Sequence, residues 1–505
     1  MDKNRFSVLL VQLINTAEVK HGFLAQELNF DVSYISKWVN GRALPSEKNI
    51  EETIEKISET LVKHASPNGL KQMYRDYRVN RTEELQAAIY ENLIAEYYYV
   101  VDMQQDQVSA GERRVSFYPW LSMQDVLNKM HHPVLRRVKN LDIMAAIDLF
   151  SIENEYRIRM VSLGVNSTAI NYEYPSVHFC LLIDLMKMRQ DIIRNTIFIS
   201  NMLRMLSHVD FRFYSGEFAR GKMMFLVKNE LAVSGILIRP DTCAAVVVCE
   251  GSENTRPLYN CIQTLCTREA LLFQKLDIID VLVNSTDYVR SLLSPGRSWL
   301  VGHMTEHILP PDLFQELAAN SRLGAQNYKV DGMLRLHRLG QSVLSNPDIR
   351  VLISERAIAR FVITGEVDFF TEIMTLTCEQ RVRTLEYFLD RVRSVKTQIK
   401  LLHEPVVSDF GYTVMPSLFL SDTLSFIRLP SINQRENLLL KINRKEIQNI
   451  HKEFVDLLWE QKTDMVSDSE ALERFLTEQL DGLRILADTM GDDETGETNG
   501  VRPKD

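Results

Sequence analysis

Apolar residues recur at helical spacing through the first sixty positions. Phe6, Leu9, Leu10, Leu13 and Ile14 make one stripe. Ile50, Ile54, Ile57 and Leu61 make a second after Pro45-Ser46, with Ser46 placed as an N-cap. Ser66-Pro67-Asn68-Gly69 breaks that helix, and another is expected from Glu83 to Val101, ending in the cluster Tyr97-Tyr98-Tyr99. The polar segment Gln104–Arg114 reads as a linker. From about residue 140 the pattern changes. Strand-like runs (AAIDLF, HVDFRFY, KMMFLV, SGILI, AAVVVCE) alternate with the helical stretch LLIDLMKMRQDIIRNTIFISNMLRML, which argues for an α/β or α+β region. Residues 268–317 read as helical, interrupted by Ser-Pro-Gly at 294–296. In the last third, IRVLI, RFVIT, IKLLHEP and TLSFIRL are strand candidates, and EQRVRTLEYFLDRVRSV and RKEIQNIHKEFVDLLWEQK are helix candidates. A long helix leads into HVDFRFY, KMMFLV and GILI, and another leads into QIKLLHEP, VMPSLFL and LSFIRL. Each block then closes in a helix, as two copies of one unit would.

The stretch GFLAQELNFDVSYISKWVNG, residues 22–41, has a more demanding pattern than a single helix requires. Two helices crossing at a tight turn need a small residue at the crossing, and Ala25 supplies it. Four residues on, the chain must turn sharply with a positive φ, which Asn29 tolerates better than most residues. Leu24, Leu28, Phe30, Ile35 and Trp38 fall on the inward positions, and Asp31 can cap the second helix.

This segment, LAQELNFDVSYISKWVNG followed by Gly and Pro in GRALPS, resembles the lambda-repressor-like, Cro/XRE-type helix-turn-helix family over residues 3–63. It departs from the family pattern at Val39, where many members carry glutamate, and at Asn29, which replaces the turn glycine. The resemblance implies that the second helix, about Val32 to Asn40, lies in the major groove of double-stranded DNA. Val32, Ser33, Tyr34, Ser36 and Lys37 then face the bases, while Asn40 and Arg42 are placed for phosphate oxygens. His21, after Lys20, stands at the start of the first helix of the pair, where it can meet a phosphate. One such module binds weakly, so a homodimer reading two half-sites is expected.

Length gives a prior of roughly three domains for 505 residues. The expected division is a helix-turn-helix domain at 1–65, a helical connector and linker at 66–118, and an α/β sensor or dimerisation domain at 119–290. A second helical and α/β domain follows at 291–490, then a disordered tail at 491–505. Composition (45% hydrophobic, 25% charged) is that of an ordinary globular protein. The net charge of −9 excludes a polybasic nucleic-acid coat, so any DNA contact must come from a local patch. Residues 1–63 hold eight Lys/Arg and nine Asp/Glu, with the acids gathered between Glu47 and Glu59. Lys71, Arg75, Arg78 and Arg81 add a basic run. Six cysteines without a CxxC, no leader-like N-terminus and no apolar run near eighteen residues point to a reducing cytoplasm and no membrane partner.

Candidate chemistry adds little. No phosphate-binding loop, HExxH or nucleophile elbow occurs, so neither a catalytic residue nor a cofactor is assigned. His303 and His307 stand at i, i+4 on an expected helix face with Glu306 beside them. No third ligand is evident, and no metal is expected. Arg220 and Lys222 flank an apolar strand and could hold an anion, although a charged hairpin is the simpler reading. A duplicated α/β unit raises a phospholipase-D-like phosphodiesterase, but that chemistry needs a histidine and a lysine two residues later, and no HxK occurs. The expected function is a sequence-specific DNA-binding transcription regulator, not an enzyme. Its C-terminal region would dimerise and respond to a small-molecule, peptide or protein effector. The alternatives are a DNA-targeted enzyme with a degenerate phospholipase-D-like unit and a protein-interaction scaffold.

Overall fold

The computed structural model describes residues 4–77, 79, 81–106, 115–130, 140–169, 176–207, 209–284, 286–324, 328–394, 398–404, 406, 415–430, 437–460 and 465–495. The expected His131-His132 turn and residues 496–505 of the expected tail lie outside them. The chain divides into two compact units. One comprises 1–144, 152–178 and 221–261; the other comprises 145–151, 179–220 and 262–505.

Six helices come first: α1 (Arg5–Ala17), α2 (His21–Glu27), α3 (Val32–Val39), α4 (Ile50–Lys63), α5 (Pro67–Tyr77) and α6 (Thr82–Asp106). Asn4 caps α1 by accepting from the Ser7 amide. The expected cap at Ser46 is not made: Ser46 precedes a short 3-10 turn, and its side chain bonds none of the free amides. Phe6, Leu10, Leu13 and Ile14 of α1 share one buried core with Leu24, Ile35 and Trp38, and with Ile54, Ile57 and Leu61 of α4. Met73 of α5 and Leu85, Ile89, Leu93 and Tyr97 of α6 belong to the same core. The helical domain therefore runs to about residue 101. The segment expected to be a connector from 66 onward completes its core instead.

The mixed region follows with β1 (Val115–Ser122), α7 (Met123–Met130), β2 (Asn140–Ile147), α8 (Asn154–Ala169), β3 (Ser176–Ile183), α9 (Ile192–Met205), β4 (Asp210–Ser215), β5 (Lys222–Val227), β6 (Leu231–Arg239), β7 (Thr242–Glu250) and α10 (Ser252–Leu265). The first sheet has the strand order β1-β7-β6-β5-β2-β3-β4. The division between the two units falls within β2 and β3. Leu181–Ile183, expected to open a helix, instead ends β3.

The remaining elements are β8 (Phe273–Lys275), α11 (Ile278–Asn284), α12 (Thr286–Leu293), β9 (Ser298–Val301), α13 (Pro311–Asn320), α14 (Tyr328–Leu344), β10 (Arg350–Ser354), α15 (Glu355–Thr364), β11 (Glu366–Phe369), β12 (Glu372–Thr375), α16 (Cys378–Ser394), β13 (Gln398–Leu402), β14 (Ser417–Leu420), β15 (Ser425–Leu429), β16 (Leu438–Ile442), α17 (Lys445–Glu460), β17 (Val466–Ser467) and α18 (Ser469–Thr495). They build a second sheet ordered β17-β13-β10-β9-β14-β15-β16-β8. In it β9, β10 and β13 are parallel, and β14, β15, β16 and β8 follow antiparallel. Two expectations fail here. The 268–317 stretch is not wholly helical, because β8 and β9 interrupt it. RFVIT is the end of α15 rather than a strand: Ser354 caps that helix by accepting from Ala357, and Gly365, at φ 70°, ends it. The last helix also takes in 491–495, the start of the expected tail.

The two sheets match in strand order. Reading β7-β6-β5-β2-β3-β4 against β16-β15-β14-β9-β10-β13, the first strand of each set lies between the second and the fourth. The third lies beyond the second, and the fifth and sixth lie beyond the fourth.

Candidate functional site

The segment Lys20–Arg42 is built from the bottom up by a few backbone requirements. Asn29 holds φ 56° in the turn between α2 and α3, the left-handed conformation its side chain tolerates. The Phe30 amide donates to the Ala25 carbonyl at 2.9 Å and closes the turn. Asp31 then caps α3, accepting from the Ser33 amide at 2.9 Å, and the Ser33 hydroxyl together with that amide holds its carboxyl below the usual range. Leu24, Ala25, Leu28, Ile35 and Trp38 are buried as expected. Phe30 is not: it is exposed, with its ring edge-to-face on Trp38 at 5.2 Å. Val39, where many members of the resembled family carry glutamate, is buried beside Trp38 and adds to the core. The Ser7 hydroxyl donates to the Trp38 carbonyl at 2.5 Å, tying α3 to α1.

With that inner face locked, the outer face of α3 is presented to solvent. Val32, Ser33, Tyr34 and Lys37 are exposed, and Ser36 is half-buried. Val32 is 49% and Tyr34 50% exposed, high for apolar side chains that have a neighbouring core to join. Lys37 Nζ lies 5.4 Å from the centre of the Tyr34 ring, so its charge stands over an aromatic face. Asn40 is exposed, but its amide donates to the Ser36 carbonyl at 2.8 Å and folds back on the helix end. Arg42 is exposed just past Gly41, which sits at φ 71°. His21 is exposed at the start of the seven-residue α2. The structure therefore gathers Val32, Ser33, Tyr34, Ser36 and Lys37 on one surface and turns the Asn40 amide away. In the nearby basic run, Lys71 and Arg81 are exposed; Arg78 and the Arg75 side chain lie outside the described residues.

A second concentration of polar groups lies in the unit that contains the second sheet. Arg428, fully buried, donates to both Glu306 carboxylate oxygens at 2.5 and 2.7 Å and to the Tyr288 hydroxyl at 3.2 Å. Asp368 lies 3.8 Å from the same guanidinium. Burial works to raise the Asp368 carboxyl, but Arg428 and the hydrogen bond from His303 outweigh it and hold it at about 2. His303 and His307 do not share a helix face. His303 lies in a bend after β9, while His307 sits in a 3-10 turn, buried against Trp299 and Phe419. His303 Nε2 pairs with Asp368 Oδ2 at 2.9 Å, and Nδ1 faces the Ser417 hydroxyl at 3.0 Å. This is a serine–histidine–aspartate alignment, but Ser417 is fully buried. Its oxygen already accepts from the Gly302 and His303 amides at 3.1 and 3.3 Å, so no substrate carbonyl can reach it. Arg220 pairs with Asp184 at 2.5 Å.

A cleft of about 80 Å³ opens beside His303, at the carboxyl ends of β9, β10 and β13. Arg356 and Arg360 of α15 and Glu366 and Asp368 of β11 line it. Sequence reading missed these four. Their spacing was the available signal: arginines at i, i+4 and acids at i, i+2. It went unused because RFVIT was read as a strand. Among the described residues, no three His, Cys, Asp or Glu side chains are grouped to hold a metal, and no helix is long and apolar enough to cross a membrane. No family model and no curated protein matches the chain.

Proposed function

We propose that the chain is a DNA-binding transcription regulator of the helix-turn-helix kind. Its α/β region would pair two copies and respond to an effector. The observation that carries the reading is the exposed outer face of α3, with Val32, Ser33, Tyr34 and Lys37 in water while Ile35, Trp38 and Val39 lock the opposite side. A helix held in this way presents its amino-terminal side chains to base edges in a major groove. Val32 suits a thymine methyl and the Ser33 hydroxyl can donate or accept, while Lys37 and Arg42 supply the positive charge for guanine and phosphate. The near-neutral head predicts weak binding by one copy, which two copies on two half-sites would overcome.

The experiment is binding of the full chain to genomic fragments with and without Lys37→Ala plus Arg42→Ala. We expect the double variant to keep its melting behaviour, bind at least about tenfold more weakly, and show a salt slope shallower by about one to two. Unchanged affinity, or binding by the parent chain that is insensitive to salt, would sink the reading.

The shared strand order supports a second element of the proposal: the two α/β blocks are copies of one unit. In an experimental structure, β2, β3, β4, β5, β6 and β7 should superpose on β9, β10, β13, β14, β15 and β16 in order and direction. A reversed strand in either set would rule this out.

A further inference from the structure

The cleft beside His303 combines an unusual set of charges. Among the described residues three acids and three bases face it: Glu366, Asp368 and Glu404, with His303, Arg356 and Arg360. Each acid has a base near it. Arg360 donates to Glu366 at 2.7 Å, and His303 meets Asp368 at 2.9 Å. The third pair is looser. Arg356 Nη1 and Glu404 Oε2 stand 3.6 Å apart, a charge pairing too long for a hydrogen bond between those atoms. Arg356 is 59% exposed, whereas the Glu404 side chain is 5% exposed and accepts the Ser354 hydroxyl from behind. The pair therefore presents a rim cation beside a buried carboxyl that is held in place, both facing the cleft.

The lining restricts what can enter. An anion alone would face three carboxyl groups, and a cation alone would face two guanidinium groups. An uncharged apolar ligand would strip water from all of them without replacing it. A ligand that carries both signs meets each of these described walls with its opposite. Size restricts it further. About 80 Å³ has room for roughly five to eight waters, which is a small metabolite and not a nucleotide. Phe361, Met415 and Pro430 add apolar wall that suits a short hydrocarbon side chain. The position agrees, since crevices at the carboxyl ends of parallel strands are where open α/β sheets hold ligands.

We propose that this cleft binds a small zwitterion of the free α-amino acid class lying alongside this pair, its carboxylate on Arg356 and its ammonium on Glu404. Burial pushes the Glu404 carboxyl up, so an arriving ammonium favours its ionised form, and binding weakens as pH falls. The inference names the class of effector left open above. It stands or falls without the DNA reading, because its test contains no DNA.

The test is the melting temperature of the full chain, with each standard amino acid added at millimolar concentration. The N-acetyl and carboxamide forms of the same compounds are run beside them. At least one free amino acid should raise the melting temperature, and neither of its blocked forms should. Arg356→Gln and Glu404→Gln should each weaken that binding about tenfold or more, the worth of a charge-assisted hydrogen bond, while Arg484→Gln on α18 leaves it unchanged. Arg356 is on the rim, so its variant keeps the test open if Glu404→Gln does not fold. No shift with any free amino acid, equal shifts with the blocked forms, or full binding by the Arg356 variant would each overturn the proposal.

Discussion

Asn29 shows how much one residue can set. Its φ of 56° turns the chain between α2 and α3, and Asp31 two positions later fastens the start of α3. Replacing Asn29 with alanine keeps the backbone angle but removes the side chain that tolerates it. We expect Asn29→Ala to lower unfolding stability by about 1 kcal/mol and Asn29→Gly to leave it nearly unchanged, read by urea denaturation. This turn was legible in the sequence because it depends on local backbone chemistry. Phe30 was not. Its inward assignment came from position in a pattern, whereas Trp38 already fills the space and leaves Phe30 against its edge. Arg428 was equally hidden: nothing local announces that a lone arginine in SFIRL will be fully buried against Glu306, more than a hundred residues away.

Elements were legible where one face is wet. The stripes of α1 and α4 divide core from solvent, and β4 and β6 keep some residues in water, which their patterns show. β9 is buried along its whole length, so SWLV carries no alternation and fell within a stretch read as helical, whereas the equally buried β15 was read from the composition of TLSFIRL. The extent of the helical domain was missed for a related reason, since α5 and α6 reveal their role only by what they cover. Gly69, read as a breaker, is where α5 approaches α1. A Cβ there would come within 2.1 Å of the Thr16 carbonyl oxygen. Gly69→Ala should therefore destabilise the domain by about 1–3 kcal/mol, although alanine favours helix elsewhere. A melting temperature at or above that of the parent would show that the two helices can move apart at little cost.

Across the whole molecule, buried titratable groups set the response to acid. Burial holds His307 and His451 uncharged, each lowered to about 4 from an ordinary 6.5. The unfolded chain takes up those protons between about pH 6.5 and 4 while the folded chain does not. Their contribution is complete above 6.5 and is lost as pH falls through that window, on the order of 3 kcal/mol for each histidine. Asp368 acts lower down. Its carboxyl, held at about 2, contributes fully above its ordinary 3.8 and loses that contribution as pH falls toward 2. Unfolding free energy measured from pH 7 to pH 4 should thus decline, and His451→Leu should decline less steeply. A variant whose slope equals that of the parent would remove His451 from this account.

The common strand order of the two sheets means that the chain carries a natural comparison within itself. Lys222 opens β5 and Ser417 opens β14, strands of equal rank in their sheets. At one position a lysine side chain is half-buried; at the other a hydroxyl is sealed beneath an imidazole. If both descend from a single ancestral half, evolution has already performed the exchange of side chains on one scaffold, and each half serves as the other's control.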